Sequence, residues 1–323
     1  MTAHTAFAER AYLATDIPAI VAMLNACDAV DHEDDSYTEE DLRSEFGSPT
    51  LDTANDLRLW HDGEQLVGLG QLWVDTDAER ADIFHYWRVA PAHRDLGAEE
   101  QILAWAELRA QAIGVAGAVP ALLRCGATEH DAARRERYER HGFAIDRYSY
   151  RMERDLRTPL PDRTLPDGFT IRPALGVEDA QRWVDCFNQS FIDHPHHHHY
   201  TIEDHLHELA SDPNYRRELD LVVIADDGTY VGFCYCRIDA DANARNGELV
   251  GWIDVLGTRR GYRGIGLGRA LLRAGIHLLR EAGMETVRLG VDANNPSGAL
   301  GLYERNGFSR MFTRISYRKE FTV

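Results

Sequence analysis

Arg263-Gly264-Ile265-Gly266-Leu267-Gly268-Arg269 is the stretch from which the rest of this chain can be read. A strand-like apolar run, residues 249–257, precedes it. A run with Leu267, Leu271, Ala274 and Leu278 at helical spacing follows. A glycine-rich turn that opens a helix exposes backbone N–H groups that the helix cannot satisfy. With the helix dipole they form a seat for phosphate oxygens, and glycine lets a ligand come close to the backbone. A phosphate-bearing cofactor is the expected occupant. A dinucleotide fold would want G-x-G-x-x-G directly after its first strand, whereas this segment reads G-x-G-x-G and comes late. A nucleoside-triphosphate loop would need Gly-Lys-Ser/Thr after its glycines, which is absent.

Working outward, the same ingredients occur twice in the same order. Asp62-Gly63 precedes a strand at 65–73, and Asp227-Gly228 precedes one at 230–238. Tyr138-Glu139-Arg140-His141-Gly142-Phe143 answers Tyr303-Glu304-Arg305-Asn306-Gly307-Phe308. A repeat this long is a duplicated domain, since solenoid units are far shorter. The proline-bearing segment 157–168 reads as a linker, giving expected domains at 1–156 and 169–323. Each half is expected to be mixed α/β, a mostly antiparallel mixed sheet flanked by helices. In the second half, helices are expected at 177–191, 202–209, 270–280 and 297–305. Strands are expected at 221–225, 231–238, 249–257, 287–291 and 312–317.

The 323 residues carry a formal net charge of −18 and are 44% hydrophobic. The length suits two domains, and the charge disfavours nonspecific binding to nucleic acid or to an anionic membrane. Arg259, Arg260, Arg263 and Arg269 make a local basic patch around the glycine turn. Five cysteines without a C-x-x-C pair point to a reducing compartment. With no membrane-spanning run and no leader, the cytoplasm is expected.

Two regions together carry a family resemblance. Arg263-x-x-Gly266-x-Gly268 matches the signature Arg/Gln-x-x-Gly-x-Gly/Ala, and Asn295, Tyr303, Gly307 and Phe308 match a second motif downstream. The chain resembles the GNAT superfamily of acyl-CoA-dependent N-acyltransferases over most of 169–320 and, more weakly, over 5–155. Its layout resembles that of tandem members with a degenerate first domain and an active second one. The resemblance implies acetyl-CoA as cofactor, bound by Leu256, Gly257 and Thr258 on the strand, by residues 263 to 269 (Arg263, Gly264, Ile265, Gly266, Leu267, Gly268, Arg269), and by Asn295. It implies direct attack by a primary amine on the thioester, with Tyr303 as general acid toward the leaving thiolate. The family's Glu on the fourth strand is Trp252 here, expected to wall the acceptor site. Strand alternation then puts Glu248, Trp252, Asp254 and Leu256 on one face. Asp254 is the first choice of base and Glu248 the second.

The first half departs from the signature at Asp95 and Glu99, and two carboxylates beside a diphosphate seat repel it. Little CoA binding is expected there. The expected partner is a small-molecule amine acceptor, with no nucleic acid, membrane or metal, in a monomer or homodimer. The rival reading is an acyl-CoA-binding or sensing protein without turnover. Residues His194 to His199 stand as a polar loop, an acceptor-binding loop or a metal-binding tract.

Overall fold

The computed structural model describes residues 7–31, 37–193, 199–212, 214–295 and 298–322. Its contacts divide into two compact units, residues 1–148 with 314–323, and residues 149–313. The first contains β1 (Ala8–Ala11), α1 (Ile17–Asp31), α2 (Glu39–Phe46), α3 (Thr53–Asp56), β2 (Leu57–Asp62), β3 (Gln65–Thr76), β4 (Ala81–Val89), α4 (Ala98–Gly117), β5 (Ala121–Thr128), α5 (Ala132–Arg140) and the start of β6 (Ala144–Asp155). The second continues with β7 (Phe169–Pro173), α6 (Ala180–Phe191), α7 (Ile202–Ser211), β8 (Asp220–Ala225), β9 (Tyr230–Arg237), α8 (Ala240–Asn246), β10 (Val250–Thr258), α9 (Leu267–Glu281), β11 (Thr286–Asp292), α10 (Ala299–Arg305) and the start of β12 (Ser309–Phe321).

The sheet order is β1-β2-β3-β4-β5-β12 in the first unit and β6-β11-β10-β9-β8-β7 in the second. Within each unit neighbouring strands pair antiparallel, except β4 with β5 and β10 with β11, which are parallel. The long strands β6 and β12 therefore exchange places. Residues 149–155 of β6 pair with β11, and residues 314–321 of β12 pair with β5. The side chains account for this. Met152 and Leu156 enter the core of the second unit, whereas Ile315 and Tyr317 enter that of the first.

The expected limits at 156 and 169 thus differ from the division the contacts make. Segment 157–168 belongs to the second unit. Leu160 and Leu165 pack on its core, Arg273 Nη1 donates to the Asp162 carbonyl (3.0 Å), and the His277 ring bonds the Pro161 carbonyl (2.9 Å).

Helix α9 buries Leu267, Leu271, Leu272, Ile276 and Leu279 against the sheet. It comes so close to β9 that a Cβ on Gly275 would stand 2.9 Å from the sulfurs of both Cys234 and Cys236. Those two cysteines are core, not chemistry. All five cysteines are buried and free. No helix among the described residues is long and apolar enough to cross a membrane.

A polar cluster is buried between α6, α7 and β8. Trp183 Nε1 donates to Asp220 Oδ1 (3.2 Å), and the His205 ring stacks on Trp183 at 4.4 Å. Burial pushes the Asp220 carboxyl up to about 7 and the His205 imidazole down to about 4. The signs oppose. Asp220 holds its proton in the fold, so its contribution is full below the ordinary carboxylate range and is lost as pH rises toward 7. His205 is neutral in the fold, so its contribution is full above the ordinary imidazole value and is lost as pH falls toward 4. An Asp220→Asn variant keeps an acceptor for Trp183 and removes the buried charge. Its thermal midpoint should exceed that of wild type at pH 8 by more than at pH 5, as calorimetry would show.

Candidate active site

The site forms where two neighbouring strands part. The register of β10 with β11 runs from Val250–Thr286 to Ile253–Leu289, although β10 continues to Thr258 and β11 to Asp292. At the same point β10 carries a bulge against β9, between Ile253 and Val255, with Asp254 as the extra residue.

The bulge resets the alternation. Leu256 pairs with Cys234, on the α9 side of the sheet, whereas Trp252 pairs with Arg237 on the other. Leu256 accordingly packs into the core beneath α9 and does not share a face with Trp252, contrary to strict alternation. The phase of the backbone is fixed by Arg259 N–H, which donates to the Val231 carbonyl (2.9 Å). Gly257 then turns its polar groups toward β9 as well, and Leu256 and Thr258 turn theirs into the opening. Gly257 is required for packing. A Cβ there would lie 2.6 Å from the Phe233 ring and 3.0 Å from the Ser190 Cβ.

Past β10 the chain makes a short 3-10 turn at Arg260–Tyr262 and enters the glycine loop. Gly264 and Gly266 adopt φ of +83° and +97°, in the left-handed region that side chains avoid. Gly266 is the N-cap of α9, and Ala270 N–H to the Gly266 carbonyl (3.0 Å) is the first helical bond. The N–H groups of residues 264 to 269 have no backbone acceptor among the described residues. Ile265 and Arg269 are exposed, whereas Leu267 is buried beneath the loop. A run of unsatisfied N–H groups behind glycines, at a helix N-terminus, fits a diphosphate.

Arg263 plays a part that sequence reasoning missed. Its Nε donates to the Thr258 carbonyl (3.2 Å), Nη1 to Asp193 Oδ2 (2.7 Å) and Nη2 to the Ser190 carbonyl (2.6 Å). The guanidinium clamps the end of β10 to the end of α6. The side chain is thereby engaged by protein partners.

The candidate acid and bases differ sharply in setting. Tyr303, on α10, is 7% exposed and packs against Phe308. Burial lifts its phenol well above the ordinary value, and its hydroxyl has no hydrogen-bond partner among the described residues. Asp254 is exposed by surface area, yet protein atoms crowd the region around its carboxyl. Desolvation raises its carboxyl above the ordinary range, Arg237 and Arg151 oppose this, and nearby Asp212 adds to it. Asp212 accepts from Tyr235 Oη (3.0 Å). Glu248 lies elsewhere. Arg288 on β11 grips both its oxygens (3.0 and 3.2 Å), and it stands six positions before Asp254, roughly 20 Å along an extended chain. Trp252 lies beneath the Arg151 guanidinium, 4.5 Å from ring centroid to carbon. Asn295 sits in the turn after β11, where its N–H donates to the Asp292 carbonyl (3.2 Å). His199 is exposed, and His194 to His198 lie outside the described residues. No group of three or more metal-binding side chains occurs among the described residues.

The chain is similar to known proteins. The acetyltransferase (GNAT) family matches residues 179–308. Mycothiol acetyltransferase of Thermobispora bispora is 32% identical over 267 residues, covering 81% of this chain and 82% of that protein. The chain belongs to the acetyltransferase (GNAT) family. The mycothiol acetyltransferase of Geodermatophilus obscurus is 30% identical over 310 residues, 94% of each chain. Among solved structures, a GCN5-related N-acetyltransferase from Sphaerobacter thermophilus has a TM-score of 0.75 at 24% identity, over 98% of this chain and 97% of that one. A tandem GNAT protein from the clavulanic acid biosynthesis pathway also reaches 0.75, at 14% identity and 98% of each chain. Both show the fold. The protein is therefore a tandem GNAT acyltransferase that uses acetyl-CoA, and the reading as a sensor without turnover falls away.

The first GNAT unit has the same parts in altered form. Its strands β4 and β5 also stop pairing early, at His85–Cys125, while β4 runs on to Val89. Arg94 repeats the clamp of Arg263, donating Nε to the Val89 carbonyl (3.3 Å) and both Nη atoms to Asp31 (2.7 and 2.8 Å). Asp95 takes the left-handed conformation, at φ +60°. Its N–H is taken by the carboxylate of Glu99 (2.8 Å), a side chain only 3% exposed that Arg137 approaches to 4.0 Å. The anion seat thus holds the protein's own anion. The tyrosine is engaged as well. Tyr138 Oη accepts from Trp87 Nε1 (2.8 Å) and donates to the Gly126 carbonyl (3.1 Å).

Proposed function

We propose that the second unit carries the transfer, moving an acetyl group to the primary amine of a small-molecule acceptor by direct attack. The observation that carries this reading is the contrast between the halves. Among the described residues the second unit has an open run of N–H groups and a tyrosine hydroxyl without a partner, whereas the first spends both on itself. Acetyl-CoA supplies the activated acyl group. The N–H groups of 264 to 269 hold its diphosphate, braced by Arg263. The Leu256 N–H, turned into the opening, donates to the thioester oxygen as charge builds on it, a contribution of about 3 kcal/mol for such a donor. Asp254 removes a proton from the amine, directly or through water, and Tyr303 protonates the departing sulfur. Glu248 is left to its ion pair with Arg288. The relatives' name supports an acceptor of the mycothiol type, and the carboxylates of Asp254 and Asp212 suit a cationic amine.

The reading is tested by incubating the whole chain with acetyl-CoA and small primary amines, deacetylated mycothiol among them. Mass spectrometry should find one added acetyl group on the amine, and absence of transfer to every amine would overturn the reading. The base has its own test. Asp254 loses its basic form as pH falls through its raised carboxyl value, so kcat/KM should fall on the acid side above the ordinary carboxylate range. An Asp254→Asn variant should lose about 10²-fold in kcat/KM together with that acid limb. Retention of both the rate and the limb would exclude Asp254 as the base.

A further inference from the structure

The first unit contains a cavity that the transfer chemistry does not use. It measures about 210 Å³ and is bounded by α1, α2, β3 and β4. Phe46, Tyr37, Trp73 and Tyr86 line it with rings, and Glu45 and Gln71 supply its polar end. Gln71 is 2% exposed and donates Nε2 to Glu45 Oε1 (2.7 Å). That bond orients the carboxylate and leaves Glu45 Oε2 with no donor among the described residues. Burial raises the Glu45 carboxyl despite the bond from Gln71, and nearby Asp41 adds to the effect. Arg88 lies over the Tyr86 ring at 4.5 Å and donates to the Trp87 carbonyl (3.1 Å). Tyr37 Oη and Tyr86 Oη bond one another at 2.8 Å. The open polar atom is thus a carboxyl oxygen set among aromatic rings; a cation beside it favours the ionised form, and this chemistry selects an organic cation with N–H donors.

The volume sets the size. A cavity of about 150 Å³ takes benzene, so this one takes an aromatic ring with a short arm, roughly ten heavy atoms. We propose that the cavity is a binding site for a small arylalkyl ammonium ion, held by Glu45 and the surrounding rings. No acetyl transfer occurs there. Glu99 fills the anion seat of this unit, and Trp87 consumes the hydroxyl of Tyr138. The first unit is then a ligand-binding module, and the site stands whether or not Asp254 and Tyr303 act as proposed.

The test is calorimetric titration of the whole chain with phenethylammonium chloride, with phenethyl alcohol as the neutral isostere. Saturable binding at one site is expected with a dissociation constant below ~1 mM, along with a change in Trp73 fluorescence. Glu45→Gln keeps a partner for Gln71 and should weaken phenethylammonium by about tenfold or more, while the rate of acetyl transfer stays within about twofold of wild type. Asp254→Asn should leave this binding unchanged, since it alters only the transfer site. Circular dichroism and the thermal midpoint check that each variant is folded. As a second probe, Leu69→Phe narrows the cavity without touching its charge and should also weaken binding. The proposal is overturned by any of four results in folded protein: no saturation, equal affinity for the alcohol, indifference to Glu45→Gln, or loss on Asp254→Asn. The last would place the amine in the transfer site.

Discussion

Replacing Tyr303 by Phe should slow acetyl transfer by roughly 10²–10⁴-fold at saturating substrates and leave the affinity for acetyl-CoA within about twofold. The ring stays, so its packing against Phe308 and the surrounding core stays. The hydroxyl has no partner among the described residues, so its removal breaks no recorded hydrogen bond and should not lower the thermal midpoint. What is lost is a proton donor. Burial keeps the phenol protonated at any working pH, and the same dry surroundings make a leaving thiolate more basic and more in need of that proton. The matching change in the first unit should behave in the opposite way. Tyr138→Phe leaves Trp87 Nε1 and the Gly126 carbonyl without their partner. It should cost about 1–3 kcal/mol of stability and leave the transfer rate unchanged. Denaturant unfolding and steady-state kinetics on the two variants separate the roles. A Tyr303→Phe enzyme with wild-type kcat would end the assignment.

The parts of this site that depend on near neighbours in sequence were legible from the residues. The glycines of the loop, the apolar spacing of α9, the Asp-Asp-Gly turn before β9 and the Asn-Gly end of α10 are local signals with local causes. The register of β10 with β11 places the parting of the two strands just after Ile253. What escaped is set by distant partners. The bulge at Asp254 depends on how Val255 meets Tyr235 across β9, and one inserted residue moves Leu256 to the other side of the sheet. The exchange of β6 and β12 depends on which core accepts Met152 and which accepts Tyr317. Glu248 is held in an ion pair by Arg288, forty positions onward. The bonds from the Arg263 guanidinium to the Ser190 carbonyl and to Asp193 join residues some seventy positions apart and have no local signal. Helix α8, of sequence ADANARN, has no apolar period to betray it and was not expected.

Gly268→Glu should abolish measurable acetyl-CoA binding, weakening it by at least about 10²-fold, and the first unit shows why. Glu99 stands two residues beyond Gly97, as residue 268 stands two beyond Gly266, and its carboxylate caps the Asp95 N–H at 2.8 Å. A glutamate at 268 can reach the Gly264 N–H in the same way, since Gly264 and Asp95 share the left-handed conformation. It would remove a donor from the diphosphate seat and place a negative charge inside it. The backbone tolerates a side chain here. A Cβ at Gly268 meets only Thr258 Oγ1, at 3.3 Å, so Gly268→Ala should fold normally and bind acetyl-CoA within a fewfold of wild type. Calorimetric titration of the two variants separates bulk from charge. If both bind equally well, the diphosphate does not lie on this loop. If only the glutamate variant fails, residues 264 to 269 are its seat, and Glu99 is the plug that closes the corresponding seat in the first unit.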